Sequence, residues 1–207
     1  KLQLNKMSQS GALFDLVKLA DVSAGVIGAF DAEKVTKDVL EWAKGHDEEL
    51  YALLNRDIDY AQGIFAIDRG GKKPRKDIRK WSDVRDYVSY FYDELWQGEY
   101  DLPENLTKED MIAILDTYAK AYEEAPDKNT WFDGVKAICE GLGFCPEVKA
   151  YKQDPTGWKG HVGDVSNVVR VAITGRKNSP DLWSIMTLLG KERSLSRLRK
   201  MKEFLAK

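Results

Sequence analysis

Residues 170–207 read RVAITGRKNSPDLWSIMTLLGKERSLSRLRKMKEFLAK. Gly175 closes a helical pattern that opens at Gly163 and carries the apolar stripe Val165, Val168, Val169, Ala172 and Ile173. Ser179-Pro180 is a start signal: a hydroxyl N-cap followed by proline at the first helical position. Asp181 then falls in the first turn, where the helix dipole favours a carboxylate. The new helix runs to Leu189, breaks at Gly190 and resumes near Ser194, a candidate cap for the last segment. Two helices joined by a short polar turn predict helix-on-helix packing. The stretch is also strongly basic, with ten Lys/Arg against three Asp/Glu, a net of +7 in a chain of 207 residues whose net charge is −2. A basic helical surface on an acidic protein points to a polyanionic partner.

The helical period extends upstream. Asp31 is placed to cap Ala32–Lys44, Asp47 to cap Glu48–Leu54, and Ile58–Ile67 forms a third short helix that ends before Gly70-Gly71. Ser82 precedes an aromatic-rich helix expected over Asp83–Trp96, and Thr107 with Asp110 resembles a capping box that opens Lys108–Glu124. Asn129-Thr130 starts Trp131–Gly141, with Gly143 suited to the left-handed residue after it. Pro146–Gly160 is turn-rich and irregular. No alternation of period two persists, so the chain reads as all-α, two consecutive helical subdomains. The expected division is a connector over 1–30, a first subdomain over 31–127 and a second over 128–207. Helices this short must be stabilised by packing on one another.

Composition excludes several classes. A hydrophobic content of 43% with 32% charged residues describes a soluble folded protein. No apolar run approaches the roughly 18–20 residues of a membrane span. Lys1–Ser8 has no apolar core of a secretory signal, and the missing initiator Met suggests a piece of a longer protein or a processed form. Cys139 and Cys145 are the only cysteines, a usage that fits a reducing cytoplasm. With His46 and His161 far apart, no zinc ligand set is expected. A second basic island, RGGKKPRKDIRK at Arg69–Lys80, nets +6, which leaves −15 for the remainder. Its Arg69, Lys72, Lys73, Arg75, Lys76 and Arg79 suit phosphate oxygens without reading sequence.

Other motifs lead elsewhere. Lys6-Met7-Ser8-Gln9-Ser10 imitates the lysine loop of class I aminoacyl-tRNA synthetases, but the second lysine is Gln9. Gly70-Gly71-Lys72-Lys73 lacks the glycine and hydroxyl of a phosphate-binding loop: those positions are Ala66 and Lys73. The carboxylates have no neighbouring nucleophile or histidine, so no catalytic residue is assigned. His161, between two glycines, is expected to bond backbone. Trp42, Phe91 and Phe132 have the spacing of packing residues.

Arg170–Arg193, RVAITGRKNSPDLWSIMTLLGKER, closely resembles the C-terminal anticodon-binding region of bacterial-type glutamyl-tRNA synthetases, with an Arg-x-Ala-hydrophobic-Thr-Gly helix end, a Ser/Thr-Pro start and a Leu-Gly-Lys-Glu-Arg close. Near the other end, SGALFDLVKLADVS is similar to the family segment that contacts the inner corner of the tRNA. The resemblance implies tRNA as the partner, either glutamate-accepting alone or glutamine-accepting as well, with no DNA or membrane role, in a cytoplasmic monomer. It implies an intact enzyme that uses ATP and magnesium, and a piece without catalytic domain, metal or cofactor. Arg170, Ser179, Pro180 and Leu182 then hold anticodon bases, with Arg176 and Lys177 on nearby phosphates. Some relatives read the third anticodon base with a further arginine from the preceding helical domain. The competing expectation is a helical protein–protein module whose basic tail docks an acidic partner.

Overall fold

The structure is a computed structural model that describes residues 15–207. Lys6–Ser10 and the first residues of the N-terminal motif lie outside them. The helices are α1 Leu16–Ala29, α2 Ala32–His46, α3 Glu48–Arg56, α4 Ile58–Ala66, α5 Val84–Val88, α6 Lys108–Ala121, α7 Lys128–Leu142, α8 Val148–Gln153, α9 Val162–Thr174 and α10 Leu182–Leu205. Among the described residues there is no strand, only an isolated bridge between Cys145 and His161. The all-α expectation holds.

Aspartate starts most of these helices. Asp15, Asp31, Asp47, Asp57, Asp127 and Asp181 each accept a first-turn backbone N–H through the side chain. Each cap satisfies a donor that a helix start otherwise orphans, at about 1 kcal/mol. At α9 the cap is His161, whose Nδ1 accepts the Gly163 N–H at 2.9 Å while Asp164 accepts the His161 N–H at 2.8 Å. The expected backbone bond of His161 is present. Gly143 and Gly175 end α7 and α9 in the left-handed conformation, at φ 83° and 77°.

Several boundaries differ from the sequence expectation. The N-cap of α10 is Asp181, not Ser179, because the Asp181 carboxylate reaches Ser184 N–H at 3.0 Å and outcompetes the hydroxyl two residues earlier. Gly190, at φ 78° and ψ 166°, kinks α10, but Ser194 is buried within the second half and caps nothing. α6 stops at Ala121, α7 starts one residue before Asn129, and α8 lies inside the stretch expected to be irregular. The helix expected over Asp83–Trp96 reduces to a 3₁₀ turn at Trp81–Asp83 and the short α5. Tyr90, Phe91, Tyr92 and Leu95 beyond it are all buried. Consecutive helical residues point about 100° apart, so three in a row cannot all enter one core from a helix. Turns allow it.

One apolar core runs from Ile27 to Leu205. α2, α3 and α4 pack together, α6, α7, α9 and α10 pack together, and α10 also touches α4. α6 therefore joins the helices that follow it, and the expected boundary at 127/128 falls inside a packed bundle. α1, expected to be a connector, lies along the basic loop: Ser23 Oγ donates to the Arg79 carbonyl at 2.6 Å, and a Cβ on Gly28 would sit 2.9 Å from the Arg75 carbonyl. Among the described residues no helix is long and apolar enough to cross a membrane.

Candidate nucleic-acid interface

The two basic islands meet in space. Arg75 Nη2 donates to Asn178 Oδ1 at 3.4 Å across 103 positions of sequence. Asp68, in the left-handed region at φ 54°, accepts the Asp181 N–H at 2.9 Å. The loop after α4 is thereby fastened to the 175–181 turn between α9 and α10. The Asp181 N–H, a donor at the start of α10, is thereby already taken.

Arg170 holds that turn from inside. Its Nη1 donates to the Ser179 hydroxyl, to the Ser179 carbonyl at 3.2 Å and to the Pro180 carbonyl at 2.8 Å. Its Nε and Nη2 make no hydrogen bond among the described residues. Partial burial lowers the guanidinium's affinity for its proton, offset by the neighbouring Asp181 carboxylate. It stays charged, because an arginine begins far above neutrality. Ser179 and Pro180 are buried and Leu182 is only 1% exposed. The structure thus brings Arg170, Ser179 and Pro180 into direct contact, while Leu182 packs in the core and offers no open apolar surface. The turn exposes Lys177 and Asn178. Asn178 and Asp68 escape a sequence reading, since neither carries a signal beyond a turn-forming residue type.

About half of the cations of the basic islands have carboxylate partners among the described residues. Arg75 forms a fork on Asp77 at 2.6 and 2.9 Å, Lys76 reaches Asp21 at 2.9 Å, and Arg79 reaches Asp83 at 3.2 Å. Arg176 reaches Asp86 at 2.6 Å and Lys177 reaches Asp101 at 2.9 Å. Exposed pairs of this kind are worth about 0–1 kcal/mol, so a phosphate can replace the carboxylate at little cost. Lys72 and Lys73 have no ion-pair partner among the described residues. Arg69 differs. Its guanidinium donates to the carbonyls of Phe65 at 2.7 Å, Ile27 at 2.7 Å and Phe30 at 3.0 Å, closing the ends of α1 and α4. Burial again lowers its proton affinity. Freeing it would orphan buried carbonyls, so Arg69 is committed to the fold.

The basic tail divides the same way. Arg193 donates to the Phe91 carbonyl at 2.6 Å, and Arg197 donates to the Ile173 carbonyl at 2.8 Å while stacking 4.1 Å from the Trp96 ring centroid. These two arginines hold the aromatic segment Ser89–Trp96 against α9. Beside them an open groove of about 750 Å³ runs between Asp86, Trp96, Tyr100 and Arg176. Among the described residues no cluster of three or more His, Cys, Asp or Glu could hold a metal, and Cys139 and Cys145 are buried free thiols.

Residues 156–202, which span α9, the turn and most of α10, match the anticodon binding domain family. The chain is 43% identical over 199 residues to a glutamate–tRNA ligase of Sorangium cellulosum, covering 95% of this chain and 35% of that protein. The chain is homologous to part of the glutamate–tRNA ligases. It is 44% identical to the enzyme of Clostridium perfringens, with 97% of this chain and 37% of that protein covered. Against glutamate–tRNA ligase 2 of Thermoanaerobacter pseudethanolicus the identity is 27%, over 99% of this chain and 38% of that one. The chain therefore spans a little over a third of the length of the ligases it matches. Within that third, the turn built by Arg170, Ser179 and Pro180 lies inside the matched anticodon-binding residues.

Proposed function

We propose that this chain is the tRNA-recognising part of a glutamate–tRNA ligase and that the 175–181 turn with the 68–80 loop is its anticodon surface. In the intact enzyme, residues outside this chain would join glutamate to tRNA using ATP and magnesium. This part selects the tRNA whose acceptor end then reaches them, acting as a monomer in the cytoplasm. The observation that carries the proposal is the convergence of two basic islands on one turn, within residues that match an anticodon-binding family.

The chemistry follows from the geometry. Anticodon bases are unstacked and present their edges, which a guanidinium can bond through two parallel N–H groups. Arg170 keeps its Nε and Nη2 edge for this purpose while Nη1 fixes the turn. Arg75, pointing at Asn178 from the preceding helical region, fits the further arginine through which relatives read the third anticodon base. Choice between glutamate and glutamine tRNAs would be made there. Ser179 and Pro180 shape the turn from beneath, and Leu182 anchors it in the core. Arg176, Lys177, Lys72 and Lys73 serve phosphates, as do Lys76 and Arg79 once they leave their carboxylates.

The test is binding of the chain to tRNAs with altered anticodons at one salt concentration. Arg170→Ala is expected to cost about 1–3 kcal/mol with the cognate tRNA and to relax preference at one anticodon position. Arg170→Lys, which keeps charge but loses the fork, should behave nearly as badly. A loss equal across all anticodons would rule out base reading by Arg170. The isolated chain should show no ATP–pyrophosphate exchange.

A further inference from the structure

Tyr90 lies where the aromatic segment passes beneath the turn. It is 1% exposed, its ring sits 4.7 Å from Phe91, and the Arg176 guanidinium covers it 5.7 Å from the centroid. Its hydroxyl is fully buried with no hydrogen-bond partner among the described residues. A buried hydroxyl without a partner destabilises a fold, and phenylalanine would fill the same space without that cost. By contrast, another core tyrosine is satisfied: the Tyr118 hydroxyl accepts the Trp131 indole N–H at 2.8 Å. The charged and titratable groups acting on Tyr90 are Tyr87, Arg75, Asp77 and Arg176, and Arg170 also feels it. The three arginines among these belong to the surface proposed above. Burial pushes Tyr90's ionisation well above the ordinary phenol range, so it is a neutral donor at physiological pH.

The cover is easily moved. Arg176 is held by the Asp86 carboxylate at 2.6 Å, the Asp86 carbonyl at 2.9 Å and Ser89 Oγ at 3.2 Å. The Asp86 side chain is 77% exposed, which makes the pair a weak tether. An RNA phosphate beside the turn competes directly for this guanidinium.

We propose that Tyr90 is a further RNA-binding residue of this surface: its hydroxyl, orphaned in the free protein, donates to an RNA oxygen once Arg176, which covers its ring, exchanges Asp86 for a phosphate. The inference rests on the anticodon-surface reading. It adds a donor that no charge pattern marks, and it explains why a tyrosine stands where the fold alone would favour phenylalanine.

The test pairs Tyr90→Phe with Tyr92→Phe in the full chain. Tyr92 carries the same kind of orphaned buried hydroxyl, but it faces Arg56, Asp57 and Glu94 instead of the turn. Both variants should melt at or above the wild-type temperature. Tyr90→Phe should weaken tRNA binding about fivefold to tenfold, the size of one added hydrogen bond, and Tyr92→Phe should leave it unchanged. A loss confined to one anticodon variant assigns the acceptor to a base, and a uniform loss assigns it to a phosphate. Combined with Arg176→Gln, the Tyr90→Phe effect should shrink, because the cover no longer responds to phosphate. Unchanged affinity of Tyr90→Phe, equal losses in both tyrosine variants, or a melting temperature several degrees lower in Tyr90→Phe would each overturn the proposal. Failure of the wild-type chain to bind any tRNA would instead defeat the anticodon reading itself.

Discussion

Arg197→Ala should be among the most destabilising single changes in this chain, although the residue belongs to a run of surface-like cations. The residue is 2% exposed. Its Nη1 donates at 2.8 Å to the carbonyl of Ile173, one of the last four carbonyls of α9 that no helical N–H can reach. Losing that donor leaves a buried acceptor unsatisfied, at about 1–3 kcal/mol. The guanidinium also lies 4.1 Å from the Trp96 centroid, a desolvated cation–π contact worth about 2 kcal/mol. The pair with Asp93 adds little, about 0–1 kcal/mol, because that carboxylate is 68% exposed. The total is about 3–6 kcal/mol. For a chain of this size about 2–4 °C accompanies each kcal/mol, so the melting temperature should fall by roughly 6–24 °C. Thermal denaturation followed by circular dichroism reads this directly. Arg197→Met, which restores volume but no donor, should recover part of the loss. Lys200→Ala, an exposed neighbour, should stay within about 0.5 kcal/mol. A loss below about 1 kcal/mol for Arg197→Ala would mean that α9 and Trp96 do not depend on this guanidinium.

Further consequences can be checked independently. Replacing Lys72 or Lys73 by Gln should weaken every tRNA alike and reduce the slope of log affinity against log salt by about 0.7 for each phosphate no longer neutralised; an unchanged slope removes the loop from the interface. Gly175→Ala should cost about 2–4 kcal/mol, from the left-handed φ of 77° and a Cβ placed 2.6 Å from the Glu99 carbonyl, and a melting curve like wild type would contradict the close approach. The Arg85 guanidinium, hydrogen-bonded to Asp47 at 2.6 and 2.7 Å, holds the Asp47 carboxyl below its ordinary range despite burial. A depressed pKa gives stability that is present above about pH 4 and lost as pH falls below it. Asp47→Asn, which keeps the helix cap, should therefore flatten the decline of melting temperature between about pH 4 and pH 2; parallel curves for the two proteins would show that the pair contributes nothing.

Much of the helix inventory is legible in the sequence, because its causes are local. Asp31, Asp47 and Asp57 precede apolar repeats of helical spacing, and glycines at 143 and 175 supply the left-handed stops. A cap or a stop acts within one turn of chain, so four or five residues suffice to recognise it. The aromatic segment after Val88 departs from its expected helix for the opposite reason. Its conformation follows from where Tyr90, Phe91 and Tyr92 must be buried, and neither the neighbouring helix α9 nor Arg193 and Arg197 are visible in its own spacing.

The candidate surface divides along the same line. Arg170, Ser179 and Pro180 stand within ten positions of one another, and the motif that contains them marks both the turn and its family. What charge alone does not reveal is which cations remain available. Lys72, Lys73, Arg69 and Arg197 are equivalent in a charge count, yet two are open to solvent and two are enclosed by backbone carbonyls. Arg75 joins the turn only because α4 packs on α10 and its loop folds back onto the 175–181 turn, across 103 positions. Local chemistry determines where helices begin and end, since caps and dihedral preferences act over a few residues. The choice of which charged group is spent on the fold and which faces a ligand depends on desolvation and distant partners, and these exist only once the chain has packed.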